Sequence, residues 1–118
     1  MAIRRKAVRT IVVLYPRGRF LGGKETDELE AAIMDEAAKQ NTRLILNMRE
    51  VTLITSAFMS ALVKARANYE GRQGEVKLCQ LVDTVERALH IPVLLSKFDY
   101  HATEEEAIAA FAESTAKA

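Results

Sequence analysis

"LILNMREVTLITSAFMSAL", residues 44–62, sets a short apolar run, Leu44-Ile45-Leu46, before Asn47-Met48-Arg49-Glu50, polar at every position but Met48, resumes apolar character at Val51, and then breaks on Thr55-Ser56. A continuous apolar run of this length within Arg43–Met48 is typical of a strand covered on both faces. The whole of Arg43–Thr55 therefore reads as strand, tight turn and short apolar stretch. A helix then runs from Ser56 to about Glu70 on Met59, Leu62, Val63 and Tyr69, with Gly71 and Gly74 at its exit. Ser56 is the natural N-cap, its hydroxyl placed to accept from a backbone N–H one turn in.

The same alternation extends outward. Upstream, the β-branched and aromatic run Thr10–Tyr15 reads as a strand ended by Pro16-Arg17-Gly18. Thr26 is expected to cap a helix carrying Leu29, Ala32, Ile33 and Ala37 on one stripe, broken by Glu36, as far as Gln40-Asn41. Downstream, Val76-Lys77-Leu78-Cys79 reads as a strand, and Asp83-Thr84-Val85-Glu86 is a capping-box pattern opening a helix through Leu89. After Pro92 a short turn or helix leads to Phe98-Asp99-Tyr100. Thr103 before Glu104-Glu105-Glu106 then caps a last helix with the stripe Ala107, Ile108 and Phe111. The order β-β-α-β-α-β-α-β-α predicts an α/β fold. Four to five strands should form a mixed, mostly parallel sheet packed with about four helices.

At 118 residues, 49% hydrophobic and 28% charged, the chain is expected to form one domain, 1–118, with one core. Its apolar runs, such as Ile11–Tyr15, fall far short of the ~20 residues a membrane span needs. Residues 1–20 lack a signal-peptide core and cleavage site, so a cytoplasmic protein with no membrane insertion is expected. Cys79 is the single cysteine, which excludes an internal disulfide and suits a buried structural thiol. Net charge is +1, yet seven basic residues from Arg4 to Lys24 precede the first acid, Glu25. These cations are interleaved with strand residues and have no aromatic stacking platform. A solvated sheet edge or an acidic protein partner accounts for them better than nucleic acid.

Catalytic patterns are scarce. His90 and His101 stand eleven residues apart across a proline turn with no further ligand spacing, so no metal is expected. The stretch "RGRFLGGK", residues 17–24, matches neither a dinucleotide fingerprint nor a phosphate loop, and Lys24 reads as part of a loop before a helix. The acidic run at 104–106 complements the positive end of its helix. No cofactor and no enzymatic activity are expected.

The order of elements and the words of residues 44–62 together resemble the STAS domain, shared by anti-sigma factor antagonists and the cytoplasmic tails of sulfate transporters. The resemblance covers roughly residues 8–112. Asn47 falls on the family's polar strand end and Val51-Thr52-Leu53-Ile54 on its hydrophobic link. Ser56 falls on the serine that family kinases phosphorylate, and Ala61-Leu62 on the helix that follows. "GEVKLCQLVDTVERAL" and "FDYHATEEEAIAAF" are similar to the family's later strand-helix pairs. Three positions depart: Thr55 stands where an aspartate is usual, Ala57 where a second serine is, and Phe58 where glycine is.

The resemblance implies a partner-switching regulator that docks this helix start onto an anti-sigma factor or serine-protein kinase and is controlled by phosphorylation at Ser56 or Thr55. The implied contact residues are Asn47, Thr55, Ser56, Ala57, Phe58 and Met59. For Phe58 the sequence leaves two roles open, an exposed partner anchor or a buried helix residue. Other STAS proteins, or a second copy of the chain, are further candidate partners. The alternative is an unphosphorylated STAS adaptor, a structural subunit of a signalling particle or of a membrane transport complex, in which Ser56 only caps the helix.

Overall fold

The computed structural model describes residues 3–20, 23–39, 43–90 and 99–117. Among them the strands are β1 (Arg4–Val8), β2 (Ile11–Tyr15), β3 (Arg17–Phe20), β4 (Arg43–Asn47), β5 (Glu50–Ile54), β6 (Glu75–Cys79) and β7 (Asp99–His101). The helices are α1 (Lys24–Ala38), α2 (Ser56–Glu70), α3 (Asp83–His90) and α4 (Glu104–Lys117). The main sheet has five strands in the order β1-β2-β4-β6-β7, with β1 antiparallel to β2 and every other pair parallel. The expected α/β fold with a mixed, mostly parallel sheet and four helices is therefore present.

Why Ile11–Leu14 of β2 and Leu44–Leu46 of β4 are consecutive apolar residues follows from the two cores. Along β2 and β4, Val12, Leu14, Leu44 and Leu46 point into the larger cluster with Leu29 and Ile33 of α1 and Phe58 and Leu62 of α2. Their neighbours Ile11, Val13 and Ile45 point the other way, onto Ala107 and Phe111 of α4. Successive residues of a strand face opposite sides, so a sheet covered on both faces needs both sets apolar. Cys79 lies on the α4 side as a buried free thiol. On the same side Lys77 is buried, its ammonium 2.7 Å from Asp99 and 3.1 Å from Glu75, and 4.8 Å above the Phe111 ring.

Several elements differ from expectation. β3 and β5 are strands, paired in parallel as a separate two-stranded sheet with a register shift at Gly18/Arg19. Helix α1 starts at Lys24 with Gly23 at its N-cap, and Thr26, expected as the cap, is buried within the first turn. Glu36 does not break the α1 stripe but belongs to it, buried and held by Arg5 through bonds of 2.6 and 3.2 Å. In α2 the buried positions are Phe58, Ala61, Leu62, Ala65 and Tyr69, so the inward stripe runs through Phe58, and Val63 lies exposed. Thr103 does cap α4, accepting from the Glu106 N–H at 3.1 Å. The expected turn after Pro92 and the helix end at Gln40-Asn41 lie outside the described residues.

The basic segment is largely engaged within the fold. β1 forms an edge of the main sheet, where charge discourages pairing with another chain. Arg5 pairs with Glu36, Lys6 with Glu104 at 2.6 Å and Arg17 with Glu50 at 3.4 Å. Arg4 lies over the Tyr15 ring.

Candidate functional site around the start of helix α2

The path into α2 is shaped by Asn47, the last residue of β4. Its side-chain oxygen accepts from the Arg49 N–H at 3.0 Å, a side-chain turn that tightens the link to β5. The Val51 N–H donates to the Met48 carbonyl within the same link. The Asn47 amide donates in turn to Glu104 at 3.0 Å, and Lys6 holds the other Glu104 oxygen at 2.6 Å. Burial alone pushes the Glu104 carboxyl up, but the hydrogen bonds from Lys6, Asn47 and Tyr15 outweigh it and hold its pKa below the ordinary 4.5. Asn47 is thus a buried structural hinge between β4, β5 and the start of α4.

Thr55 occupies the N-cap position of α2 in extended backbone. Its hydroxyl does not cap the helix; it donates to the Phe20 carbonyl at 3.2 Å and ties the helix start to β3. Beneath, the Phe58 ring is fully buried with its centroid 5.0 Å from that of Phe20. Phe58 is therefore a core residue, which resolves its two sequence readings in favour of the interior. Ser56 is the first helical residue rather than the cap, and both it and Ala57 are exposed, with Met59 half-buried. Among the described residues the Ser56 hydroxyl makes no hydrogen bond.

Electrostatically α2 stands apart. The first turns of α1, α3 and α4 carry acids, Glu25 and Asp27, Asp83 and Glu86, and Glu104 to Glu106. The first turn of α2 has none, and no side chain caps it. Its positive end and free amide groups are thus left to solvent or to an incoming anion. Thr84 at the start of α3 donates to the Thr52 carbonyl at 3.3 Å, which fixes α3 against β5.

The structure brings Thr55, Ser56, Ala57 and Met59 to one surface and leaves Asn47 and Phe58 below it. Sequence reasoning did not assign Leu53, Ser60 and Val63 to this surface: it read Leu53 within the hydrophobic link and Val63 on the apolar helix pattern, and it gave Ser60 no role. Leu53 and Val63 are exposed at 43% and 44%, and Ser56, Ser60 and Val63 share one helical face by their spacing. The available signal was spacing, since Ser56, Ser60 and Val63 repeat at helical intervals off the face that Phe58, Ala61, Leu62, Ala65 and Tyr69 bury. His101 and Cys79 lie in β7 and β6, and among the described residues no group of three or more acidic, histidine or cysteine side chains is placed to hold a metal. Burial pushes the Cys79 thiol up to about 12, with Glu104 and Glu105 adding to it.

The five-stranded mixed sheet and its four helices define a fold class, and comparison with known proteins agrees. The STAS domain family model matches residues 2–107, and the chain belongs to that family. Comparison with curated protein sequences finds no significant match. Among solved structures, a Thermotoga maritima protein assigned as an anti-sigma factor antagonist superposes with a TM-score of 0.85 at 21% identity, over 92% of each chain. The phosphorylated form of the Bacillus cell fate determinant SpoIIAA matches with a TM-score of 0.72 at 20% identity, over 93% of this chain and 99% of that one. The murine anion transporter Slc26a9 contains the same fold, with a TM-score of 0.77 at 14% identity, over 92% of this chain but 18% of the transporter. These likenesses establish a shared fold. None of the helices among the described residues is long and apolar enough to cross a membrane.

Proposed function

We propose that the chain is a partner-switching regulator of the anti-sigma factor antagonist kind, acting in the cytoplasm. Its docking surface is the start of α2, and phosphorylation of Ser56 controls it. The observation that carries this reading is the combination at one residue: Ser56 is exposed, and opens the one helix among the described residues whose first turn holds no acid. A phosphate there meets free amides and a favourable dipole, so the fold tolerates it. A protein partner seated on Ser56, Ala57 and Met59 meets about −1.5 to −2 new charges and their hydration shell instead. A loss of a few kcal/mol at such a contact, roughly two orders of magnitude in affinity, is enough for a switch. Asn47 and Phe58 act from beneath, holding the turn and the helix start in place. Thr55 is the weaker acceptor, because its hydroxyl is committed to the Phe20 carbonyl.

Incubation of the chain with ATP and serine kinases of the anti-sigma type from its own genome, read by intact mass and fragmentation, tests the reading. One phosphate on Ser56 is expected, with none after Ser56→Ala. A wild-type chain left unmodified by every such kinase contradicts it and favours an adaptor, for which the engaged Thr55 and the Ala57 and Phe58 departures would be the reason.

A further inference from the structure

At the far end of the molecule from Ser56, a cavity of about 470 Å³ opens between the β1–β2 turn, the start of β4 and helix α4. Its volume falls within the ~300–1,000 Å³ range of small-molecule sites. Ile11 and Phe111, both buried, form its floor, and the half-buried Val8 and Ile108 form its walls. Two guanidinium groups, Arg9 and Arg43, stand among these apolar side chains. Among the described residues neither pairs with a carboxylate, and Arg43 donates to the Thr10 hydroxyl at 2.8 Å. Arg9 is held at φ 57, a left-handed conformation that glycine or asparagine adopts with less strain. An uninterrupted apolar floor below unpaired cations selects one kind of ligand: an alkyl chain for the floor and a single anionic head for the arginines.

We propose that this cavity binds a single-chain acyl carboxylate, its tail on Ile11, Ile108 and Phe111 and its carboxylate on Arg9 and Arg43. Arg9, Thr10 and Arg43 lie at the N-terminal ends of β2 and β4, whereas α2 begins beyond their C-terminal ends. The site therefore stands independently of the docking surface, and the two can be tested apart.

The test is calorimetric titration of the full chain with laurate below its micellar concentration, beside dodecanol and dodecyltrimethylammonium as neutral and cationic controls of equal tail. Laurate is expected to bind saturably, one per chain, with backbone amide shifts in the NMR spectrum concentrated at residues 8–11, 43 and 108–111. Arg43→Gln and Arg9→Gly are each expected to weaken it by about tenfold or more, the size of one lost charge-assisted hydrogen bond. Arg9→Gly suits the local backbone, so its folding is preserved and the loss reports the missing cation. Dodecyltrimethylammonium is expected to bind far more weakly than laurate. Absence of saturable laurate binding, equal binding of all three amphiphiles, or arginine variants that bind as well as wild type would overturn the proposal.

Discussion

Asn47 shows what one residue contributes that its nearest chemical relative cannot. An amide donates to Glu104 and accepts from the Arg49 N–H at once. An aspartate at the same place only accepts and sets two carboxylates against each other. Asn47→Asp should therefore cost about 2–4 kcal/mol at pH 7, a buried acceptor losing its donor beside a like charge. The gap to wild type should narrow as the pH falls toward about 5, where one shared proton restores the missing donor. Urea unfolding of both proteins at the two pH values measures this, and a gap that does not change with pH contradicts the geometry. The wild type carries the opposite acid dependence at Glu104. Its folded pKa lies below the ordinary 4.5, so its contribution is complete above that value and is lost as pH falls through the folded one. Cys79, buried and raised to about 12, should resist thiol reagents at pH 8 in the native protein and react at once in denaturant. Rapid native labelling would place it at the surface.

At the scale of elements, α2 depends on its inward face and α4 on its cap. Leu62 is buried between the sheet and α1, and Leu62→Ala should cost on the order of 2–5 kcal/mol. A loss below about 0.5 kcal/mol by chemical denaturation would move Leu62 out of the core. Thr103→Ala should cost about 1 kcal/mol through the lost bond to the Glu106 N–H. Both features were legible in the sequence, one from apolar spacing and one from a hydroxyl ahead of an acidic first turn. The α2 face was read correctly at Leu62 and Tyr69 but placed on Met59 and Val63 as well, with Phe58 left open, because Ala61 and Ala65, small and weakly apolar, carry much of the true stripe. β3 and β5 were illegible for a different reason. Arg17, Gly18 and Arg19 are exposed, Gly18 sits at φ 102, and the register shifts there, so neither strand alternates cleanly. Their pairing comes from tertiary contact rather than local pattern.

Across the whole molecule, long-range pairs set the fold's electrostatics. Lys6 and Glu104 lie 98 residues apart and Asn47 and Glu104 lie 57 apart, so no window of sequence contains either contact. That is why the basic start of the chain read as a sheet edge or partner surface, while its engagement with Glu36 and Glu104 stayed hidden. The two-sided core was readable because the consecutive apolar runs Ile11–Tyr15 of β2 and Leu44–Leu46 of β4 are expected only where helices cover both faces of the sheet. Ser56 was readable as a helix start, but the network that steers the chain into it was not. On the proposal that charge at Ser56 decides whether α2 binds its partner, calorimetric titration of one anti-sigma-type kinase with wild type, Ser56→Ala and Ser56→Asp gives the sharpest test. Wild type and Ser56→Ala are expected to bind alike, Ser56→Asp to bind about tenfold or more weakly, and all three to unfold within about 1 kcal/mol of one another. Equal binding by Ser56→Asp and Ser56→Ala would contradict it.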